Sequence, residues 1–433
     1  MCGIVAYISK KNKNILNKAI LSLKKLQHRG QDGWGICYLF KNSLKVFKKE
    51  GLIEDDSLSD FSDITIAHTR YSTKGDFNKN NLQPFVFKNV ALCHNGTIFD
   101  FEEKKEILLQ NGFSFESNSD SEVILKWLFY KLKNLKKSSK EDILKILEND
   151  FSLNAYNIII LFKDKIMAFK DKNSYHPLSF FETKDCFILA SENCAITEKP
   201  LKSFELSANS AIEINKKEYS YFKKSPKKTS QCVFEAVYFA NSKSKIFNTK
   251  VKNKRIELGK FLAKNDDIKG DYVIPILNSG LWGAVGYSQE SKIKLKFLIK
   301  NKENVLRTFI ENKSIRKEKI EEKYIIDYKK IKGKRLIIVD DSIVRGSTSK
   351  KIIELLKKGN PKEIHLRLTS PMIINTCHWG VDIPNKNELI AYNLKSSDNI
   401  KKELEINSVK FIPVDSFQKM FNKNIWCHKC FLG

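Results

Sequence analysis

The sequence predicts a two-domain protein of mixed α/β and α+β class, and three observations lead there. Its 433 residues are too many for one ordinary core and suit two units of roughly 200 residues each. The first half reads as short apolar strands, the pattern of a layered, strand-rich domain. From about 250 to 410, strands alternate with helical patterns, which implies a parallel sheet with crossover helices.

Taken in order, GICYLF, ITIAHTRY, VALCHNG, NIIILF and CFILASE are the strands of the first half, with helices near 12 to 28 and 120 to 148. A Lys-rich, Pro-containing stretch at 222 to 231 reads as a linker. Beyond it, YVIPIL, KLKFLIK, RLIIVD and EIHLRLTS are strands, and GLWGAVGYSQ and TSKKIIELLKKG are helices. The charged, weakly periodic residues 300 to 332 suit a mobile loop over an active site or a solvated excursion. The expected boundaries are 2–225, 226–410 and a tail, 411–433, that holds a C-x-x-C pair.

Lys plus Arg exceeds Asp plus Glu by 77 to 50, a net +27 that alone would suggest a polyanion partner. The charge is dispersed, so no nucleic acid is expected. Only eight basic residues are arginine, and where arginine persists its fork can be needed. No apolar run approaches the roughly 20 residues that cross a bilayer, and the N-terminus lacks the order of a secretory signal. A cytosolic protein without a membrane partner is expected. Nine cysteines in such a protein argue for thiol chemistry or metal binding over disulfides. Cys37, Cys93, Cys186 and Cys194 sit in apolar sequence and read as core.

Cys2 follows the initiator Met, and removal of Met1 would leave a thiol and a free amine on one residue. An α-amine titrates near pH 7.7–8.0 and can act as base, while a thiolate attacks an amide carbonyl. The plain alternative is a cysteine on a buried strand. Four further segments stand at strand ends or loops, where functional groups are presented: RGQDGWG (29–35), HTRYST (68–73), HNG (94–96) and SDSE (119–122). Asn95-Gly96 alone is also a favoured hairpin turn.

Together with MCGIV, these segments resemble the class II glutamine amidotransferase domain, an αββα N-terminal-nucleophile hydrolase fold, over the whole first half. The resemblance implies that Cys2 is the nucleophile and that Asn95 with the Gly96 N–H forms the oxyanion hole. It implies further that Arg70 binds the glutamine carboxylate and that Asp120 receives its ammonium.

In the second half, RLIIVDDSIVRGSTS (335–349) is an apolar strand, an acidic pair, a small polar loop and a helix start. It resembles the phosphoribosyl pyrophosphate motif of type I phosphoribosyltransferases. A helix cap would explain one Asp but not two after an apolar strand. By that resemblance Asp340 and Asp341 face the ribose and magnesium, and the loop of Ser342, Arg345, Gly346, Ser347 and Thr348 cradles the 5-phosphate at a helix N-terminus. CVFEAVYFA (232–240), IPILNSG (274–280), LRTFI (306–310) and ELIA (388–391) extend the likeness to the amidophosphoribosyltransferase family over nearly the whole chain. The family pattern gives Ser279 a place at magnesium beside Asp340 and Asp341. It also implies ammonia transfer to phosphoribosyl pyrophosphate, the first committed step of purine synthesis, in a homotetramer. The chain departs from the pattern at Asn278, Ser174, His176, Glu321 and Lys302-Glu303, which bears on nucleotide inhibition and loop closure.

Cys232, Cys377, Cys427 and Cys430 match the positions that bind a [4Fe-4S] cluster in one branch of that family. Zinc held by Cys427 and Cys430 with His428 or His378, or plain free thiols, are the other readings. The rival for the whole chain is a phosphoribosyl-pyrophosphate-binding regulator, or a basic nucleic-acid-binding protein, with a vestigial glutaminase fold. Glucosamine-forming or asparagine-forming relatives would need a sugar isomerase domain or an S-G-G-x-D-S loop, and the sequence has neither.

Overall fold

The structure is a computed structural model and describes all residues except 72–77, 133, 152–153, 225–227, 302–323, 382, 384 and 433. Ser72 and Thr73 of HTRYST, Lys302-Glu303, the LRTFI segment and Glu321 therefore lie outside the described residues. The chain forms two compact units. The first comprises Met1–Cys232, Phe239–Asn248 and His378–Asp382, and the second comprises Val233–Tyr238, Thr249–Cys377 and Ile383–Gly433.

The first unit is built on two antiparallel sheets. One runs Lys202–Glu205, Ser179–Glu182, Cys186–Ala190, Gly3–Ser9, Ile64–Arg70, Gly33–Phe40, Ser43–Glu50; the other runs Tyr219–Lys223, Ser210–Asn215, Lys165–Lys170, Ala155–Leu161, Val90–Thr97, Phe85–Phe87. The strand Gly3–Ser9 shows why its sequence is apolar throughout. Ile4, Ala6 and Ile8 enter the core between the sheets, whereas Val5 and Tyr7 face the helix Leu16–Lys25. Burial on both faces removes the usual polar alternation. On the far side, Phe101–Gln110, Asp120–Lys131 and Lys140–Asp150 cover the second sheet. The layering is αββα, as expected.

The helix expected at 120 to 148 is two helices. The chain leaves helical geometry at Leu132, and Ser139 starts the second helix by accepting a hydrogen bond from the Asp142 N–H at 3.1 Å. A serine in this position competes for backbone donors and favours a cap over a helix interior. Part of the expected linker is also ordered: Tyr219–Lys223 and Gln231–Cys232 are strands.

The second unit holds a parallel sheet in the order Tyr272–Pro275, Arg335–Asp340, Glu363–Leu368, Ser408–Phe411. Leu336 and Ile338 pack with Ile352, Leu356, Ile400 and Leu404 on one face. On the other face, Gly283 of the helix Leu281–Ser291 approaches Val339 and Thr369 closely. KLKFLIK does not become a full strand of this sheet. It makes one parallel bridge, Leu295 to Val273, and then Ile299–Asn301 pairs antiparallel with Tyr324–Ile326. Its alternating lysines suit such an edge. The tail is a packed element in which Phe417, Phe421 and Phe431 are buried. Among the described residues no helix is long and apolar enough to cross a membrane.

Candidate active sites

Strand register assembles the first site. Gly3 lies opposite Thr69, and Thr69's neighbour Arg70 lies opposite Gly33, so Cys2 and Arg70 reach the same end of one sheet. In the other sheet Asn95 lies opposite Asn157. The sheets meet where the Cys2 N–H donates to Asn95 Oδ1 at 3.1 Å. That nitrogen carries Met1 here and stands in for the free α-amine that remains once Met1 is removed. Two more bonds hold the residue: Arg29 Nε donates to the Cys2 carbonyl at 3.0 Å, and the Gly3 N–H donates to Thr69 Oγ1 at 3.1 Å.

Asn95 is 1% exposed, yet its Nδ2 is buried with no partner among the described residues. A buried amide donor left unpaired costs roughly 1–3 kcal/mol, so the position favours any acceptor that arrives. Gly96 follows, and a Cβ there would stand 1.9 Å from the Ala155 carbonyl oxygen. Only glycine allows this approach. Gly380, in the His378–Asp382 segment, lies close to Gly96, and the Trp379 carbonyl sits 2.8 Å from His176 Nε2.

Arg70 and Asp120 flank this end of the unit. Arg70 Nη1 donates to the Asn81 carbonyl at 2.8 Å, and its Nε is buried with no hydrogen-bond partner among the described residues. Asn81 also accepts the Asn118 N–H through its side chain at 3.1 Å, tying the arginine's support to the turn just before Asp120. Asp120 opens the helix Asp120–Lys131 and accepts from the Ile98 N–H at 3.0 Å and from Ser121 Oγ at 3.2 Å. Burial alone would push its carboxyl up, but His94, at 3.8 Å, and these donors hold it below the usual range.

One group was not legible in the sequence. Glu192, fully buried just after the strand Cys186–Ala190, accepts from Arg29 Nη1 at 2.6 Å and stands 2.8 Å from His28 Nε2. Its other oxygen accepts from Ser244 Oγ at 2.6 Å and the Asn241 N–H at 2.8 Å. Burial opposes its charge, but His28 and Arg29 outweigh burial and hold the carboxyl well below its usual range. Cys194, expected in the core, is only partly buried, with its thiol 3.7 Å from Glu192, and burial pushes that thiol up to about 12. The persistence of Arg29 in an arginine-poor chain was the available signal.

The second site lies at the carboxyl end of Arg335–Asp340. Asp340 and Asp341 are 8% and 4% exposed, and Ser279 Oγ donates to Asp340 Oδ1 at 2.9 Å. Burial, followed by the adjacent Asp341, pushes the Asp340 carboxyl well above its usual range. The Leu277–Asn278 peptide just before Ser279 is cis. Gly346 has φ +80°, and a Cβ would stand 2.6 Å from the Ile390 side chain. It leads directly into Ser347 and Thr348, the first residues of the helix Ser347–Lys357, whose N-terminus offers free backbone donors. Ser342 Oγ donates to Asp341 at 2.5 Å. Arg345 instead pairs outward with Glu388 at 2.8 Å.

Among the sulfur positions, Cys430 is buried and its carbonyl accepts the Ile374 and Asn375 N–H groups at 2.9 and 3.1 Å, close in sequence to Cys377. Phe234, two residues after Cys232, stacks on Phe431 with ring centres 5.7 Å apart. Burial pushes the Cys427 thiol up.

Comparison with known proteins fits this pair of sites. The family profile described as a glutamine amidotransferase domain matches residues 1–256, and that described as a phosphoribosyl transferase domain matches residues 247–369. The fold and sites thus define a glutamine amidotransferase joined to a phosphoribosyltransferase. An amidophosphoribosyltransferase of Methanocaldococcus jannaschii is 34% identical, covering 100% of this chain and 97% of that protein. The chloroplastic amidophosphoribosyltransferase 3 of Arabidopsis thaliana is 31% identical, covering 100% of this chain and 83% of that protein. The solved glutamine phosphoribosylpyrophosphate amidotransferase of B. subtilis, complexed with ADP and GMP, superposes with a TM-score of 0.87 at 28% identity, covering 100% of this chain and 96% of that one. The chain belongs to the amidophosphoribosyltransferase family.

Proposed function

We propose that this chain takes ammonia from glutamine at Cys2 and transfers it to C1 of phosphoribosyl pyrophosphate. The products are 5-phosphoribosylamine, glutamate and pyrophosphate, and one water is consumed in hydrolysing the glutamyl thioester. The observation that carries the reading is Asn95, which holds the Cys2 nitrogen through Oδ1 while its buried Nδ2 has no partner among the described residues. That donor is free for the oxyanion that develops on the glutamine amide, beside the Gly96 N–H. The Cys2 amine takes the thiol proton and returns it to departing ammonia. Arg70, whose buried Nε has no partner among the described residues, receives the substrate carboxylate, and Asp120, held ionised, receives its ammonium.

In the second unit, Asp340 and Asp341 bind the ribose hydroxyls, and the loop from Ser342 to Thr348 binds the 5-phosphate at the helix N-terminus. Arg345 would reach phosphate only by leaving Glu388. Magnesium fits beside Ser279, Asp340 and Asp341, because two adjacent buried carboxyls, one pushed up by burial and by the other, form a donor set whose repulsion a divalent cation would offset. The ion would supply charge neutralisation on the pyrophosphate.

A [4Fe-4S] cluster on Cys232, Cys377, Cys427 and Cys430 fits the donor chemistry. Zinc held by Cys427 and Cys430 with His428 or His378 is the alternative, and metal analysis separates the two. A homo-oligomer, a tetramer by family resemblance, completes the proposal. Glutamate and pyrophosphate released in equal amounts from glutamine and phosphoribosyl pyrophosphate test the function. Release of neither by protein lacking Met1 would overturn it in favour of a binding regulator.

A further inference from the structure

The Cys2 main chain is held at its nitrogen and at its carbonyl oxygen, and the second hold does not end at its first partner. Arg29 Nε donates to the Cys2 carbonyl at 3.0 Å, while the other edge of the same guanidinium, Nη1, donates to Glu192 at 2.6 Å. Arg29 is 1% exposed and Glu192 0%. A planar guanidinium pinned along two edges has little freedom to rotate, so the carboxylate fixes the plane that fixes the carbonyl. Glu192 is pinned in turn: Ser244 Oγ at 2.6 Å and the Asn241 N–H at 2.8 Å take its second oxygen, and His28 Nε2 stands 2.8 Å from its first. The chain therefore runs from Cys2 through Arg29 and Glu192 to the 241–244 turn without leaving the first unit.

We infer that Glu192 is a positioning residue for the glutaminase reaction: through Arg29 it sets the Cys2 backbone, and hence where the thiol and amine stand relative to Asn95. This rests on the reading of Cys2 as nucleophile. Glu192 touches no substrate atom in this scheme. The remaining freedom of Cys2 is its side-chain torsion, so a rotated carbonyl displaces sulfur and amine together. A misplacement of 1 Å at reacting atoms can cost on the order of 10²-fold in rate. The cluster of His28, Glu192 and Cys194 also brings three metal-binding atoms together, but the Arg29 cation already occupies Glu192, which disfavours an ion there.

The test compares wild type, Cys2→Ala, Glu192→Gln and Ser244→Ala in glutamine-dependent and ammonia-dependent synthesis, with unfolding followed by circular dichroism. Loss of glutamine-dependent activity in Cys2→Ala establishes the nucleophile independently of Glu192; its retention overturns that reading and not the geometry. Glu192→Gln is expected to lower kcat for glutamine by about 10²-fold, with KM for glutamine within about two-fold and ammonia-dependent activity kept. Ser244→Ala, which removes one support and leaves the charge, is expected to lower the same kcat by about three-fold with the same split. A folded Glu192→Gln enzyme with unchanged kcat overturns the inference. So does parallel loss of both activities, the sign of a merely structural role. If Glu192→Gln does not fold, Ser244→Ala decides: wild-type kcat there overturns it.

Discussion

Asn95 is the position at which the proposed chemistry can be separated from the fold. Its side chain has two functions on two atoms: Oδ1 accepts the Cys2 N–H at 3.1 Å, and Nδ2 is buried with no partner among the described residues. Asn95→Asp keeps an acceptor for Cys2, removes the donor and places negative charge where the oxyanion would form. One oxyanion-hole donor is worth about 2.7–4 kcal/mol, so kcat for glutamine should fall by at least about 10²–10³-fold. Asn95→Ala also loses the hold on the Cys2 nitrogen and should be no more active. Its effect on stability should be small. The lost Oδ1 bond costs about 1 kcal/mol, and removing an unpaired buried donor returns a similar amount. The assay is glutamate release at saturating glutamine, with ammonia-dependent synthesis and circular dichroism melting as controls. An Asn95→Asp enzyme within about three-fold of wild type in kcat would refute the reasoning.

Asp340→Asn should abolish most ammonia-dependent synthesis yet leave the melting temperature no lower than wild type, because it relieves two buried adjacent carboxyls; calorimetry without magnesium checks the second half. Glu192 has a depressed carboxyl, so its stabilisation is complete above the unfolded value of about 4.3 and is lost as pH falls below it. Melting temperature against pH should therefore drop on the acid side, and Glu192→Gln should flatten that limb. Purified protein should contain iron and sulfide and absorb in the visible, and Cys427→Ser should lose all three; colourless, iron-free protein prepared without air would sink the cluster.

Much of the fold was legible because its signals are local. The apolar runs of Gly3–Ser9 and Arg335–Asp340, and the switch to alternating strands and helices, follow from burial on both faces. The break after Leu132 was harder: Ser139 acts as a cap only once the preceding helix has ended, which propensity over 120 to 148 does not decide. KLKFLIK has a strand's alternation, but one bridge at Leu295 shows that pairing partners, and not pattern, set its extent.

At the sites, Cys2, Asn95, Ser279 and Asp340 stood in short motifs, and the structure brings Cys2 to Asn95 and Ser279 to Asp340. Glu192 escaped because it lies 163 residues from Arg29, and a buried ion pair of that span leaves no periodic trace. For the same reason the placement of Gly380 beside Gly96 was invisible. Cys194 looked like core from its apolar neighbours and proved to face a carboxylate.

The most direct measurement is glutamate and pyrophosphate followed together for wild type and Cys2→Ala, given glutamine, with and without phosphoribosyl pyrophosphate and magnesium. The account predicts equal amounts of the two products from wild type and neither from glutamine with Cys2→Ala. Glutamate from the Cys2→Ala protein, or pyrophosphate formed without matching glutamate when glutamine is the only nitrogen source, would contradict it.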